Sequence, residues 1–278
     1  MKTLTELQDY IKSTVFSLIS DDVILARWHK SDNWGDALSP WLIELLSGKS
    51  VIYPNYFLNL CNKPVYSATG SILDYVIDKN LIVWGTGFQY PDAPVNSKPR
   101  EICAVRGPLT RRIFLKNRID CPEIYGDPAL LLPRFYSPDV SKKHRIGIVP
   151  HYVDAKENVL LEWSRCPGIK VINVRSGIKE FIQDVCSCEV IASSSLHGLI
   201  CADAYGIPNI WIKFSDRILG GSFKFRDYFE SVGMTTRTPL EIDETTTVGN
   251  LLDSKQEHQL DIDMDALLDA CPFNFQSV

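Results

Sequence analysis

The sequence predicts an α/β protein built on doubly wound parallel sheets, and three observations carry that expectation. Short apolar runs alternate with helical stretches from residue 23 onward. Most of the runs are continuously apolar rather than alternating, as strands covered on both faces are. Capping serines, N1 prolines and closing glycines punctuate the segments between them.

In chain order, VILARWH (23–29) is the first expected strand, and the loop HKSDNWGDALSPW (29–41) follows it. Ser39 and Pro40 read as an N-cap and an N1 proline, opening a helix that closes at Gly48. LIVWGTG (81–87) and EICAVRG (101–107) are the next strands, before a helix over GPLTRRIFLKNR (107–118) with Pro108 near N1. The stretch 127–145 combines three prolines with a Ser/Lys/His run and is the expected linker. Beyond it, strands RIGIVPH (145–151), KVINV (170–174), EVIASS (189–194) and NIWIKF (209–214) are expected. Helices AKENVLLEWSR (155–165), GIKEFIQDVCS (177–187) and LHGLICADAYG (196–206) fit between them. Repeated β-α-β order implies parallel sheets with helices on both faces. Two Rossmann-like domains, 1–136 and 142–239, are therefore expected to face each other across a cleft. Residues 240–278 are expected to pack back on them, with DIDMDALLDACPF as an amphipathic helix.

A chain of 278 residues buries about three quarters of its extended surface on folding and needs no covalent staples. The net charge of −5 hides a partition. Residues 240–278 hold nine acids and one base, for −8, which leaves 28 bases and 25 acids, for +3, in the first 239 residues. Neither part has the basic excess of a bulk nucleic-acid binder. The eight cysteines are sparse, and several lie in apolar runs, so buried free thiols in a reducing compartment are expected. Cys186 and Cys188 form a lone C-x-C without a second pair at zinc spacing, so no metal site is expected. MKTLTELQDYIKSTVFSLIS lacks a signal-peptide core, and no apolar run reaches membrane-spanning length. The expected location is the cytoplasm.

The chemistry concentrates in EVIASSSLHGLICADAYGIP (189–208), where an apolar strand ends in Ser193, Ser194 and Ser195 and a helix begins at Leu-His-Gly. A helix N-terminus after a strand offers unpaired N–H groups and a positive dipole end to an anion. His197 lies in the first turn, with Gly198 beside it; a capped helix and a histidine satisfied by a carbonyl explain the same pattern. Arg106 ends another strand ahead of Gly-Pro and has the fork to grip a phosphate or carboxylate. Lys213 ends a third, where a solvated lysine is the plain alternative. Gly35 allows a close backbone approach, and Asp36 either caps the following helix or accepts sugar hydroxyls. GGSFKFRDYF (220–229), with Lys224 and Arg226, suits a flap over an anionic or sugar ligand, and also an ordinary amphipathic helix. No G-x-G-x-x-G, H-E-x-x-H or G-x-S-x-G occurs.

Together NWGDALSPWL (33–42), WGTGF (84–88), VRGPLTRR (105–112), YGDPALLLP (125–133), IGIVPHYVD (146–154), SSSLHGLICADAYGIPN (193–209) and FKFRDYF (223–229) resemble the polysaccharide pyruvyl transferase family. The resemblance is to the branch that adds pyruvate ketals to succinoglycan-type exopolysaccharides. It implies a GT-B-like pair of domains, phosphoenolpyruvate as donor and a sugar with two suitably placed hydroxyls as acceptor, with no cofactor. By position it makes His197 the catalytic histidine and Arg106 the donor-binding arginine, with Lys213, Ser194, Ser195 and Gly198 around the donor. Asp36 is expected to orient or deprotonate an acceptor hydroxyl, with Asn33, Gly35, Lys224 and Arg226 on the acceptor side or in the flap. Many relatives carry arginine where this chain has Ser195. The resemblance further implies a polyprenyl-diphosphate-linked oligosaccharide acceptor, met at the cytoplasmic face of the inner membrane. A nucleotide-sugar glycosyltransferase and a non-catalytic donor- or sugar-binding homologue fit the same two-domain plan.

Overall fold

A computed structural model describes residues 21–55, 62–255 and 259–273. The N-terminal segment read for a leader, residues 1–20, and Cys61 lie outside the described residues. Strands β1 (Val23–Ala26), β2 (Ser50–Ile52), β3 (Val65–Ser67), β4 (Leu81–Trp84) and β5 (Glu101–Ala104) form one sheet in the order β2-β1-β3-β4-β5. Strands β6 (His144–Val149), β7 (Ile169–Val171), β8 (Cys188–Ser193), β9 (Asn209–Lys213) and β10 (Leu240–Glu241) form a second, ordered β10-β9-β8-β6-β7. All the pairings are parallel. Counted from its own first strand, each sheet runs 2-1-3-4-5. Growth therefore reverses between β1 and β3 in one sheet and between β6 and β8 in the other. Such switch points are where open α/β sheets bind ligands, beyond the strands' carboxyl ends. Two parallel five-stranded sheets are compatible with a Rossmann-like arrangement in two halves.

All seven expected strands form, and β2, β3 and β10 add to them. The first helix differs from expectation. Helix α1 (Trp34–Ser47) begins five residues before Ser39, with Asn33 as N-cap, so Pro40 lies inside it rather than at N1. Its buried face, Leu38, Leu42, Ile43 and Leu46, extends the helix across the proline, and Gly48 closes it in the left-handed conformation. Helix α2 (Pro108–Lys116) does open on its proline.

The expected linker is partly core. Residues Pro128–Arg134 form a 3-10 helix capped by Asp127, whose carboxylate accepts from the Ala129 N–H at 3.0 Å. Leu130, Leu131 and Leu132 are buried there against α1 and three helices of the second half, α4 (Ile178–Cys186), α5 (Leu196–Ala204) and α6 (Phe223–Ser231); helix α3 (Asn158–Trp163) packs Leu160 and Trp163 in a separate cluster with the second sheet. Within the leucine cluster Trp34 of α1 stacks on Phe181 of α4 at 4.7 Å, so one apolar core joins the two sheets. Burying an aliphatic side chain of this size contributes about 1.5–3 kcal/mol. That contribution holds the two halves together.

The C-terminal stretch is integrated as well. Leu240–Glu241 adds a strand beside β9, and helix α7 (Val248–Asp253) buries Leu251 against the second sheet. Helix α8 (Met264–Asp269) returns to the first sheet, where Trp84 Nε1 donates to the Leu267 carbonyl at 2.9 Å. The described cysteines are free thiols; Cys121, Cys188 and Cys201 are buried, whereas Cys166 is exposed, contrary to expectation. Among the described residues no helix is long and apolar enough to cross a membrane.

Candidate active site

One cavity lies where the two switch points meet. Its floor comes from two helix N-termini: Asn33 and Asp36 of the α1 entry, and Ser195, Leu196 and His197 of the α5 entry. His29 follows β1, and His151 and Tyr152 follow β6, the equivalent first strands of the two sheets. Ser71, Tyr75 and Gln89 come from the loops after β3 and β4, and Leu219 and Lys224 from the β9–α6 segment. Burial sorts these groups into two tiers. Asn33, Ser195, Leu196 and His151 are buried, whereas Tyr75 (45% exposed), Tyr152 (40%) and Leu219 (61%) form an open rim.

His197 is held by the opposite half. A Cβ on Gly35 would fall 1.9 Å from its Nδ1, and Trp34 meets the ring edge-on at 6.4 Å. Its Nε2 is buried without a hydrogen-bond partner among the described residues. Burial, and then the charges of Lys224, Arg106 and His151, lower its pKa to about 3, so the imidazole is neutral. Burial and Lys224 lower His151 to about 3 in the same way.

Lys224 is lowered to about 8 by burial and by Arg106, against the pull of Asp36. Among the described residues it forms no ion pair. Asp36 is raised by burial, against the Ser31 hydroxyl, which donates to it at 2.6 Å, and the charges of His29 and Lys224. The cavity thus gathers cationic and proton-accepting groups around one carboxylate, an arrangement that favours an anionic ligand.

A buried ion pair sets the position of Lys224. Arg106 Nε lies 2.9 Å from Asp227, at 1% and 0% side-chain exposure. Asp227 also accepts from the Thr110 N–H and hydroxyl, at 2.9 and 2.7 Å. A Cβ on Gly107 would fall 1.8 Å from the Asp227 carbonyl oxygen, so the two chain segments touch. The α2 entry of the first half therefore clamps α6 one turn beyond Lys224.

The expected donor residues are not all brought together. Arg106 does not line the cavity: it donates to Asp227, to the Ser71 hydroxyl and to the Phe88 carbonyl, and acts from behind Ser71. Lys213 is elsewhere, paired with Asp216 at 2.7 Å and Glu241 at 3.0 Å, and shares a separate pocket with Arg226. Lys213, at the very end of β9, lines that separate pocket, while the chain beyond it brings Leu219 and Lys224 to the cavity.

Ser194 is buried, accepting from the His151 N–H at 2.9 Å and donating to Asp154 at 3.0 Å, so it braces the cavity wall. Ser195 is the N-cap of α5 without a side-chain cap bond, and it does line the cavity. Gly198 serves packing: a Cβ there would fall 2.4 Å from Ser193 Oγ and 2.8 Å from Val149. His197, Asp36, Asn33, Ser195 and Lys224 meet in the cavity, with Gly35 against the His197 ring.

His29, His151, Tyr75 and Tyr152 were not singled out from the sequence. One signal was present: VILARWH and RIGIVPH both end in histidine, and both are the first strand of their sheet.

The polysaccharide pyruvyl transferase family model matches residues 10–216. The chain is 31% identical over 216 residues to the succinoglycan biosynthesis protein ExoV of Rhizobium meliloti (strain 1021). That match covers 74% of this chain but 63% of the rhizobial protein, so the chain spans less than two thirds of its length. It is also 31% identical over 223 residues to the uncharacterized protein L143 of Acanthamoeba polyphaga mimivirus, covering 77% of this chain and 75% of the viral one.

Proposed function

The chain belongs to the polysaccharide pyruvyl transferase family, and from that premise we propose that it is an enzyme moving the enolpyruvyl group of phosphoenolpyruvate onto two hydroxyls of a sugar. The products are a pyruvate ketal and phosphate. The observation that carries this reading is the cavity itself: Lys224, His197 and the first turn of α5 face Asp36 across one switch-point cleft. The two halves then work as a GT-B-like pair, with the donor on the α5 side and the acceptor on the α1 side.

The reaction is proton-neutral. A trianionic donor and a diol give a carboxylate ketal and hydrogen phosphate. Protonation of the donor's terminal methylene makes the adjacent carbon electrophilic, the two hydroxyls attack in turn, and the carbon–oxygen bond to phosphate breaks.

Lys224 and the first-turn amides of α5 hold the phosphate. Ser195 leaves this anion site without a local cation, and Lys224 supplies the charge. Arg106 adds positive potential from behind without touching the ligand. His197 delivers the proton to the methylene. Burial keeps its imidazole neutral until an anion arrives, and the arriving phosphate favours the imidazolium by opposite charge. Asp36 orients an acceptor hydroxyl.

Thermal shift tests the donor. Phosphoenolpyruvate should raise the melting temperature through binding to the native state, and uridine or guanosine nucleotide sugars should not. Stabilisation by a nucleotide sugar alone would move the assignment to a glycosyltransferase. Acceptor-dependent phosphate release separates an enzyme from a binding homologue.

A further inference from the structure

We propose that His29 is the acceptor-side base of this cavity: its imidazole takes the proton of the attacking sugar hydroxyl, with Tyr75 fixing its tautomer and Asp36 beside it. The inference rests on the pyruvyl-transfer reading and adds a residue that reading does not use.

The other basic groups of the cavity are spoken for. His197 lies in the floor against Gly35, on the donor side. His151 is 7% exposed, and its Nδ1 accepts from the Val153 N–H at 3.4 Å. Lys224 is a cation, and Asp36 already accepts from the Ser31 hydroxyl at 2.6 Å. His29 is the exposed imidazole, on the rim tier where a sugar enters.

Its Nδ1 lies 3.3 Å from the Tyr75 hydroxyl. When Nδ1–H donates to that oxygen, the lone pair is left on Nε2. The phenol suits the accepting role, because burial first, and then Asp36, raise its pKa and keep it un-ionised. The Asp36 carboxylate, near enough to interact electrostatically, stabilises the imidazolium formed when the proton arrives. A base, an orienting oxygen and a nearby anion make the arrangement by which imidazole commonly activates a hydroxyl.

The protons balance. His197 gives one proton to the donor's methylene. His29 takes the proton of the first hydroxyl as its oxygen bonds to the donor carbon, and passes it to the departing phosphate. The proton of the second hydroxyl restores His197.

The test compares wild type, His29→Ala and Tyr75→Phe. Phosphate release is measured with phosphoenolpyruvate and p-nitrophenyl β-galactoside or β-glucoside, and donor affinity by calorimetry. His29→Ala should lower kcat about 10²–10³-fold, leave the donor Kd within about twofold, and regain at least about tenfold in rate with added imidazole. Tyr75→Phe should lower kcat about tenfold without changing the donor Kd. Full turnover by His29→Ala overturns the assignment while leaving pyruvyl transfer standing. Loss without imidazole rescue, at unchanged donor affinity and melting temperature, makes His29 a positioning residue and also overturns it. A wild type that releases no phosphate with either glycoside overturns the functional reading first, and the base with it.

Discussion

Gly35 and His197 touch across the two halves of the molecule: a Cβ on residue 35 would fall 1.9 Å from the imidazole Nδ1. Gly35 sits in the first turn of α1, where its backbone conformation is open to any residue. By helix propensity alone, alanine there should stabilise the protein by up to about 1 kcal/mol. Contact with His197 reverses that expectation. Gly35→Ala should displace the ring and lower kcat by about 10²-fold, the scale of a misplacement near 1 Å. Steady-state kinetics beside a urea titration checks it; unchanged kcat with raised stability would show that the ring does not need this backing.

The Arg106–Asp227 pair gives a stability prediction with a defined sign. Asp227→Ala strands a buried guanidinium, which costs about 3–5 kcal/mol. Replacing both partners with apolar residues, Arg106→Met with Asp227→Leu, should cost less than the single change, because no charge is left unpaired. Both variants should also weaken the donor, since the pair holds the helix that presents Lys224. Chemical denaturation and donor calorimetry read the two effects separately.

On the proposed reading, Lys224 should make donor binding pH-dependent. With its pKa lowered to about 8, the ammonium is charged below that value and lost above it. Affinity for phosphoenolpyruvate should therefore fall as pH rises through 8, and Lys224→Met should abolish that limb. Below it, anion binding should draw a proton onto His197, because opposite charge favours the imidazolium. Calorimetry at pH 7 in buffers of different ionisation enthalpy should show net proton uptake; none would contradict a neutral His197.

His151 and His197 also make stability pH-dependent. Both are lowered to about 3 in the folded state from an ordinary value of 6.5. Their contribution is full above 6.5, where both states are neutral. It is lost as pH falls below 6.5 and the unfolded chain takes up protons that the folded chain refuses. The urea midpoint should drop between pH 7.5 and pH 5, and less so in the His151→Gln/His197→Gln double variant.

The strand framework was legible because VILARWH, LIVWGTG and the other runs carry apolar residues without interruption. β2, β3 and β10 stand in short apolar stretches broken by proline or acid, SVIYP, PVYS and PLEID, whereas β7, as short as β2 and β3, overlaps KVINV. The start of α1 was misplaced because Ser39-Pro40 imitates a helix opening, while the burial of Leu38 and Leu42 carries the helix through the proline. The prolines of GDPALLLP read as a linker, but in Pro128–Arg134 they open and near the close of a 3-10 helix whose leucines are core. At the site, His197, Asp36 and Lys224 were legible from local pattern. Arg106 and Lys213 stand at strand ends but outside the cavity lining, paired with Asp227 and with Asp216 and Glu241. Which strand ends and following loops meet at the cavity is a long-range property that no local window contains. The same property brings in His29 and His151, which follow the two first strands.

The protein is incubated with phosphoenolpyruvate and a galactoside or glucoside, and the glycoside is then examined by mass spectrometry, with His197→Ala alongside. The wild-type product should be heavier by one pyruvate ketal, formed with equimolar phosphate release and lost in the variant. Phosphate release without a ketal, or a ketal formed equally well by His197→Ala, would contradict pyruvyl transfer through His197.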